Sequence, residues 1–180
     1  MINDMSMQSI KIQPLSTESF LPFGEVIACQ GNHYFHINEQ QTERYHALAE
    51  VESDTKVGLS IFRNMQATAI PFQISMLERH PLGSQAFIPM HGQQFLIVVA
   101  PELDYTQPDI SQIQVFISDG SQGINYRAGT WHHPLLTLEA PSEFVVVDRI
   151  GSGSNCDVHP FPENIQIVFG GVSKSMLIIF

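Results

Sequence analysis

Short apolar segments separated by turn-forming residues fill most of this chain, and they restrict the folds that it can adopt. Eight of them follow one another between residues 57 and 150. They occupy residues 57–63, 72–78, 85–89, 94–100, 114–118, 123–126, 135–139 and 144–150. Turn formers lie between and after them, at 81–83, 91–92, 119–120 and 151–153. Strands of this length at this spacing predict a mainly β protein with a closed or sandwiched antiparallel sheet.

The N-terminal part of the chain predicts the few helices. Residues 10–27 predict a strand, one short helical turn at 17–20 and a second strand at 23–27. Residues 39–50 predict the one clear helix, because Tyr45, Leu48 and Ala49 place apolar side chains at helix-like spacing. We therefore expect strands nearly everywhere else.

Length and composition predict one folded domain. The chain has 180 residues, of which 43% are hydrophobic and 14% charged. That is enough for one well-filled core and short for two. Since no internal repeat or linker divides the sequence, we expect a single domain over residues 1–180.

The charge balance excludes several classes of partner. Eighteen acidic residues against eight basic ones give a net charge of −10, which repels nucleic acid and anionic membrane surfaces. No apolar run is long enough to span a bilayer, and residues 1–14 lack the basic and apolar regions of a secretory leader. The two cysteines, Cys29 and Cys156, have no paired spacing, which favours free thiols in a reducing compartment. We expect a cytoplasmic protein that binds neither nucleic acid nor membrane.

Two polar clusters about fifty residues apart interrupt the apolar pattern. In the first, four residues separate His80 from Gln85 and six separate Gln85 from Gly92. In the second, two residues separate Gly129 from His132. These intervals resemble the two sequence motifs of cupins. A small β-barrel directs alternate side chains of each strand inward, so both clusters can meet in one cavity. The prediction is a cupin-like antiparallel β-barrel (a double-stranded β-helix) with a few short helices.

Six separated blocks carry a sharper resemblance. They lie at 35–38, 43–46, 77–89, 125–126, 131–135 and 148–149 with 155–156. In this order they resemble the ureidoglycolate lyase family over about residues 11–158. The resemblance implies a homodimeric carbon–nitrogen lyase of the amidine-lyase type, which splits ureidoglycolate into glyoxylate and urea during allantoin degradation in purine metabolism. Residues 161–180 have no recognised counterpart and are interpreted as a C-terminal extension.

The chemistry of that reaction assigns catalytic roles to the polar clusters. Ureidoglycolate is a carbinolamine that bears a carboxylate. Releasing urea needs a base for the hydroxyl proton, an acid for the leaving nitrogen and a cationic anchor for the carboxylate. The imidazoles of His80 and His132 can serve as acid and base, and Gln85 can orient the amide or hydroxyl groups. His133 faces away from the cavity if His132 faces into it.

Four further residues are predicted to bind substrate. Arg79 or Arg127 can hold the carboxylate with a bidentate guanidinium fork. Strand alternation places Arg79 on the face opposite to its neighbouring histidine unless a bulge turns both inward. Arg127 stands where relatives often have His. Tyr126 and Trp131 are predicted to form a wall of the pocket.

A metal site is a conditional prediction. His80, Gln85 and His132 offer nitrogen and oxygen donors that suit a first-row divalent ion such as nickel, zinc or manganese, and the resemblance favours nickel. Glu78 has the same strand parity as His80 and adds an oxygen donor, although it replaces the leading His of cupins. Because Gln is a poor ligand, a metal-free site that uses the same side chains for hydrogen bonding is the alternative.

Three classes of function are consistent with these residues. The first is the lyase. The second is a hydrolase that releases ammonia and carbon dioxide with glyoxylate, and the third is a non-catalytic cupin that binds a small acid. Urea as a product distinguishes the first from the second, and turnover of any kind excludes the third.

Overall fold

The computed structural model describes residues 9–168, with the backbone alone over 162–168. Strands account for most of its regular structure, as predicted. The elements are, in chain order, β1 (Ser9–Pro14), α1 (Thr17–Phe20), β2 (Gly24–Ile27), β3 (Phe35–Ile37), β4 (Thr42–Arg44), β5 (Lys56–Asn64), β6 (Phe72–Arg79), β7 (Gln85–Pro89), β8 (Phe95–Ala100), β9 (Glu102–Asp104), β10 (Gln107–Pro108), a 3₁₀ helix (Ile110–Gln112), β11 (Gln114–Ile117), β12 (Gly123–Tyr126), β13 (Trp131–His132), β14 (Leu136–Thr137), β15 (Ser142–Ile150) and β16 (Asp157–Val168).

Two large sheets contain most of these strands. The five-stranded sheet has the order β2-β12-β7-β15-β5, and the seven-stranded sheet has the order β11-β1-β16-β6-β13-β8-β14. In the seven-stranded sheet β11 also pairs with β8, so the first and the sixth strand of the sheet are hydrogen-bonded to each other. Nearly all the pairings are antiparallel, but β1 runs parallel to both β11 and β16. The mainly β, cupin-like fold is confirmed.

The main apolar core fills the space between the two sheets. Phe87 and Phe144 approach from the five-stranded sheet and meet Phe95 and Phe116 from the seven-stranded sheet. The rings of Phe95 and Phe144 lie 5.1 Å apart in an edge-to-face arrangement. Buried aromatic pairs of this kind stabilise a core beyond the area that they bury.

Strand β8 lies between this core and a second one. Every residue of β8 is buried. Phe95, Ile97 and Val99 belong to the core between the sheets. Leu96, Val98 and Ala100 belong to a second apolar cluster. Since side chains alternate along a strand, this second core lies on the opposite face of the seven-stranded sheet. The unbroken apolar sequence of β8 follows from burial on both faces.

The predicted helix at 39–50 is wrong. The structure has a β-hairpin there instead, in which Phe35 pairs with Arg44 and Ile37 with Thr42. Its turn residues Asn38, Glu39 and Gln40 have φ angles of 51°, 56° and 67°. A right-handed helix cannot contain these angles. The three apolar residues that suggested a helix do not form a continuous apolar face that a helix could bury. The turn-forming residues therefore determine the backbone conformation of this segment.

The C-terminal region partly departs from the expectation. Residues 161–168 continue β16, which pairs with β6 on one side and β1 on the other. The predicted extension therefore begins inside the seven-stranded sheet. The rest of it, 169–180, lies outside the described residues.

Gly120 lies in a turn that packs closely against the turn at Gly92. It has a φ angle of +93°, and a Cβ atom there would collide with the carbonyl oxygen of Gly92. Gly31 has a similar φ of +81° but open space around it. We expect Gly31→Ala to lower the free energy of unfolding by about 1 kcal/mol, which is the conformational cost alone. Gly120→Ala should lower it by more than about 2 kcal/mol. Equal losses in chemical denaturation would contradict this packing.

Candidate active site

A cavity of about 470 Å³ opens between the two sheets. Its apolar wall comprises Phe62, Phe87, Phe95, Leu96, Pro134 and Leu135. Its ionisable and amide side chains include Glu78, His80, Gln85, Tyr126, His132 and His133. A concave, mostly apolar cavity with a few convergent polar groups is the usual form of a small-molecule site.

Strand pairing brings three potential metal ligands together. Glu78 lies at the end of β6 and His80 directly follows the strand two residues later, so both side chains take the same face. His132 on β13 pairs directly with Glu78. Glu78 Oε1 lies 3.9 Å from His80 Nε2 and 3.8 Å from His132 Nε2. One ligand atom from each of the three residues lies within 4.8 Å of the others.

Backbone carbonyls determine which nitrogen of each ring carries the proton. His80 Nδ1 lies 2.6 Å from the carbonyl oxygen of Asn155, and His132 Nδ1 lies 2.8 Å from that of Thr130. A carbonyl oxygen only accepts, so both Nδ1 atoms donate and the lone pair of each neutral ring is on Nε2. Both Nε2 atoms are buried and have no hydrogen-bond partner among residues 9–168.

The surroundings keep His132 neutral. Its side chain is 3% exposed. Burial is the main reason that the pKa of His132 falls to about 3, and the nearby His80 and His133 add to the effect. The ring of Tyr126 stacks on the imidazole with centroids 4.2 Å apart and planes 14° apart, which fixes its orientation. Burial also lowers the pKa of His133.

The donor set fits a divalent transition metal. Two neutral imidazoles and one carboxylate are ligands that first-row ions accept on one face of the coordination sphere. Each imidazole also donates its other N–H to a carbonyl, which is the common arrangement around metal-bound histidines. A partly buried carboxylate and two buried imidazole lone pairs directed at one point are unfavourable unless a positive charge lies between them. Glu78, His80 and His132 can therefore hold such an ion.

Gln85 lines the same cavity from the five-stranded sheet. Its side chain is buried, and Nε2 donates to Asp148 Oδ2 at 3.1 Å across the β7–β15 pair. With the amide nitrogen held by Asp148, the amide oxygen is left to accept from a ligand. Asp148 was not among the predicted site residues, because its role depends on a strand pairing that the motif does not contain.

Arg79 and Trp131 contact each other outside this cavity. The guanidinium lies 4.7 Å from the centroid of the Trp131 ring. It also pairs with Asp157 at 2.9 Å and Glu102 at 3.1 Å. Neither Arg79 nor Trp131 lines the cavity, as the alternation along β6 predicts for Arg79.

The other arginines near the site are also engaged elsewhere. Arg127 donates from Nε to Glu25 at 3.1 Å and from Nη1 to the carbonyl of Leu21 at 2.7 Å, and it does not line the cavity. Arg63 does line it, but its Nε pairs with Glu143 directly across β5 and β15 at 3.2 Å. Among the residues described, no arginine is shown directed at the ligand triad.

Comparisons with known proteins identify the family of this chain. A model of the ureidoglycolate lyase family matches residues 7–168. The chain belongs to that family. The match extends past residue 158, where the resemblance stopped, and includes all of β16.

Bacterial members of the ureidoglycolate lyase family are similar over nearly their full length. A ureidoglycolate lyase of Pseudomonas paraeruginosa is 50% identical over 165 residues, which is 90% of this chain and 96% of that protein. One of Azotobacter vinelandii is 50% identical over 90% of this chain and 98% of its own length. One of Stutzerimonas stutzeri is 50% identical over 90% of this chain and 95% of its own length. Within residues 9–168, no helix has the length and apolar character needed to cross a membrane.

The lowered pKa of His132 predicts a pH-dependent stability. An ordinary histidine in the unfolded chain has a pKa near 6.5, whereas burial lowers the pKa of His132 in the folded chain to about 3. Between these values only the unfolded state binds this proton. The free energy of unfolding should therefore fall on acidification from about pH 6.5 towards 3, with a contribution approaching about 1.4 kcal/mol per pH unit.

His132→Asn should remove this contribution to the pH dependence of the free energy of unfolding. Denaturation curves of chelator-treated protein at several pH values measure it. His133, whose pKa is also lowered, accounts for part of the slope that remains. The exposed His91 provides the control, because His91→Asn should keep the full slope. Parallel slopes in His132→Asn and the parent protein would contradict a neutral, buried His132.

Proposed function

We propose that this protein is a ureidoglycolate lyase that splits ureidoglycolate into glyoxylate and urea in allantoin degradation. The observation that carries the proposal is the convergence of two imidazole lone pairs and one carboxylate in a cavity of small-molecule size. Membership of the family and the names of its similar members support the choice of substrate.

The reaction requires no water. The hydroxyl of the carbinolamine loses its proton, a carbonyl forms at that carbon, and the carbon–nitrogen bond breaks. The electron pair of that bond goes to the nitrogen, which gains a proton and leaves as urea. One proton is removed and one is returned, so the site needs a single group that can carry a proton between two neighbouring atoms.

The substrate's negative charge requires a cation in the cavity. Glu78 is an acid, and the contacts of Arg79 and Arg127 leave both guanidinium groups outside. Arg63 lines the cavity, but its guanidinium is paired with Glu143. We assign Glu78, His80 and His132 as ligands of a divalent metal ion, with nickel as the first candidate. A bound ion supplies positive charge to the carboxylate and hydroxyl oxygens of the substrate.

Gln85 orients the leaving group in this scheme. Asp148 holds its amide nitrogen, so the amide oxygen accepts from the ureido N–H groups. The apolar residues Phe62, Phe87 and Phe95 exclude water from the carbinolamine carbon. Exclusion of water favours elimination of urea over hydrolysis of the ureido group.

His133 is the residue that we assign to proton transfer. Strand alternation predicted that His133 faces away from the cavity, but the structure shows that it lines the cavity beside His132. It is not part of the ligand triad. Its Nδ1 lies 2.9 Å from the carbonyl oxygen of Pro134, so the neutral ring has its lone pair on Nε2. Burial lowers the pKa of His133, which leaves the ring unprotonated near neutral pH and able to accept the hydroxyl proton.

We also propose that the enzyme is a cytoplasmic homodimer. Leu59 and Ile61 on the edge strand β5 are 78% and 56% exposed. They pair with the partly buried Val147 and Val145 of β15, so the four side chains form one apolar surface on the five-stranded sheet. An exposed apolar surface of this kind is typical of a protein–protein contact. Both cysteines are free, which is consistent with a reducing compartment.

Product analysis tests the lyase directly. Purified protein incubated with ureidoglycolate should release urea and glyoxylate in equal amounts, with no ammonia. Treatment with a chelator should abolish turnover, and one divalent ion, nickel first among those tried, should restore it. Ammonia and carbon dioxide in place of urea would indicate the hydrolase, and binding without turnover would indicate the non-catalytic cupin.

His133→Asn separates proton transfer from metal binding. We expect this variant to lose about 10²–10⁴-fold in kcat while its metal content stays at the parent level. His132→Asn should lose bound metal together with activity. His91→Asn is the control, because His91 is exposed and contacts Glu143 rather than the cavity. Unchanged kcat in His133→Asn would remove this residue from the mechanism.

A further inference from the structure

We propose that the Asn155–Cys156 dipeptide positions two of the three ligand side chains, and that Cys156 is the residue that orients the Glu78 carboxylate. This inference rests on the metal site proposed above and assigns residues that act on it from outside. Neither residue lines the cavity, so both act through the ligands.

Cys156 contacts the oxygen of Glu78 that faces away from the histidines. Its Sγ lies 3.8 Å from Glu78 Oε2, whereas Oε1 is the atom that faces both Nε2 atoms. A carboxylate oxygen only accepts, so the thiol is the donor in this contact. The thiol thereby limits rotation of the carboxylate and keeps Oε1 directed at the imidazoles. The independent sign that a ligand belongs there is His132 Nε2, which is buried and has no hydrogen-bond partner within the described part of the chain.

Asn155 acts on the other side of the site. Its carbonyl oxygen accepts from His80 Nδ1 at 2.6 Å, and its side-chain oxygen accepts from the backbone N–H of Leu82 at 2.7 Å. One residue therefore holds both the His80 ring and the loop that follows it. Outer partners of this kind set the tautomer and orientation of a metal-bound imidazole.

The start of β16 anchors this dipeptide to the end of β6. Asp157 pairs with Arg79 in the ladder, and their side chains form an ion pair at 2.9 Å. Residues 155, 156 and 157 thus contact the side chains of His80, Glu78 and Arg79 respectively. Arg79 contributes to the site in this way, because its ion pair holds the residue that directly follows the dipeptide.

The test measures binding of Co²⁺ to metal-free full-length protein by competition with a chromophoric chelator. Cys156→Ala should weaken Co²⁺ binding by about tenfold, the lower end of the effect typical of outer partners of metal ligands. Cys156→Ser retains a hydrogen-bond donor at this position and should bind within about threefold of the parent protein. Cys29→Ala is the matched control, because Cys29 is the other free, exposed thiol, and it should match the parent protein.

Several outcomes would overturn the proposal. Parental affinity in Cys156→Ala, or equal weakening in Cys156→Ser and Cys156→Ala, would show that the thiol donor does not orient Glu78. A thiolate-to-cobalt charge-transfer band that disappears in Cys156→Ser would make Cys156 a ligand instead. If the parent protein itself bound no Co²⁺, that result would contradict the proposed metal site and therefore also the positioning role of Asn155 and Cys156. Unfolding midpoints of the metal-free variants check that each has folded.

Discussion

Two hydrogen bonds from histidine rings to backbone carbonyls determine what this site can do. Asn155 and Thr130 accept from the Nδ1 atoms of His80 and His132, which leaves both Nε2 lone pairs directed towards Glu78. If either ring were turned over, one lone pair would leave the site and the ligand set would be incomplete. Because the acceptors are main-chain atoms, the backbone conformation at Asn155 and Thr130 determines the orientation of both rings. The surrounding fold stabilises that backbone conformation.

Strand β6 explains why neighbouring residues serve different purposes. Glu78 and His80 face the cavity between the sheets, whereas Arg79 faces the second core and lies over Trp131. Alternation along one strand therefore separates a ligand pair from a structural ion pair. Burial of Arg79 among two carboxylates, a carbonyl and two aromatic rings satisfies its charge. Its ion pair with Asp157 also holds the start of β16 behind the site.

Much of this arrangement could be predicted from the sequence, because strands and turns depend on local patterns. The predicted strands at 85–89 and 123–126 agree with β7 and β12 residue for residue. The motif intervals identified His80, Gln85 and His132, which line one cavity.

The hairpin at Phe35–Ile37 and Thr42–Arg44 was missed because its turn residues adopt positive φ angles, which the apolar spacing does not reveal. Strand β16 was missed because prolines, which cannot donate to a ladder, interrupt it, and its register shifts between Pro160 and Ile165. The contacts of Asn155 and Cys156 could not be predicted, since they depend on the pairing of strands about eighty residues apart.

X-ray absorption at the metal edge of nickel-loaded protein can show whether both histidines bind the ion. We expect two imidazole nitrogens and at least one carboxylate oxygen in the first coordination shell, at roughly 2.0–2.2 Å, the distances usual for such ligands on first-row ions. The multiple-scattering signal of both imidazoles should be present in the parent protein and reduced to one imidazole in His80→Asn. Nickel without imidazole ligands, or an unchanged spectrum in that variant, would show that the two lone pairs do not form the metal site.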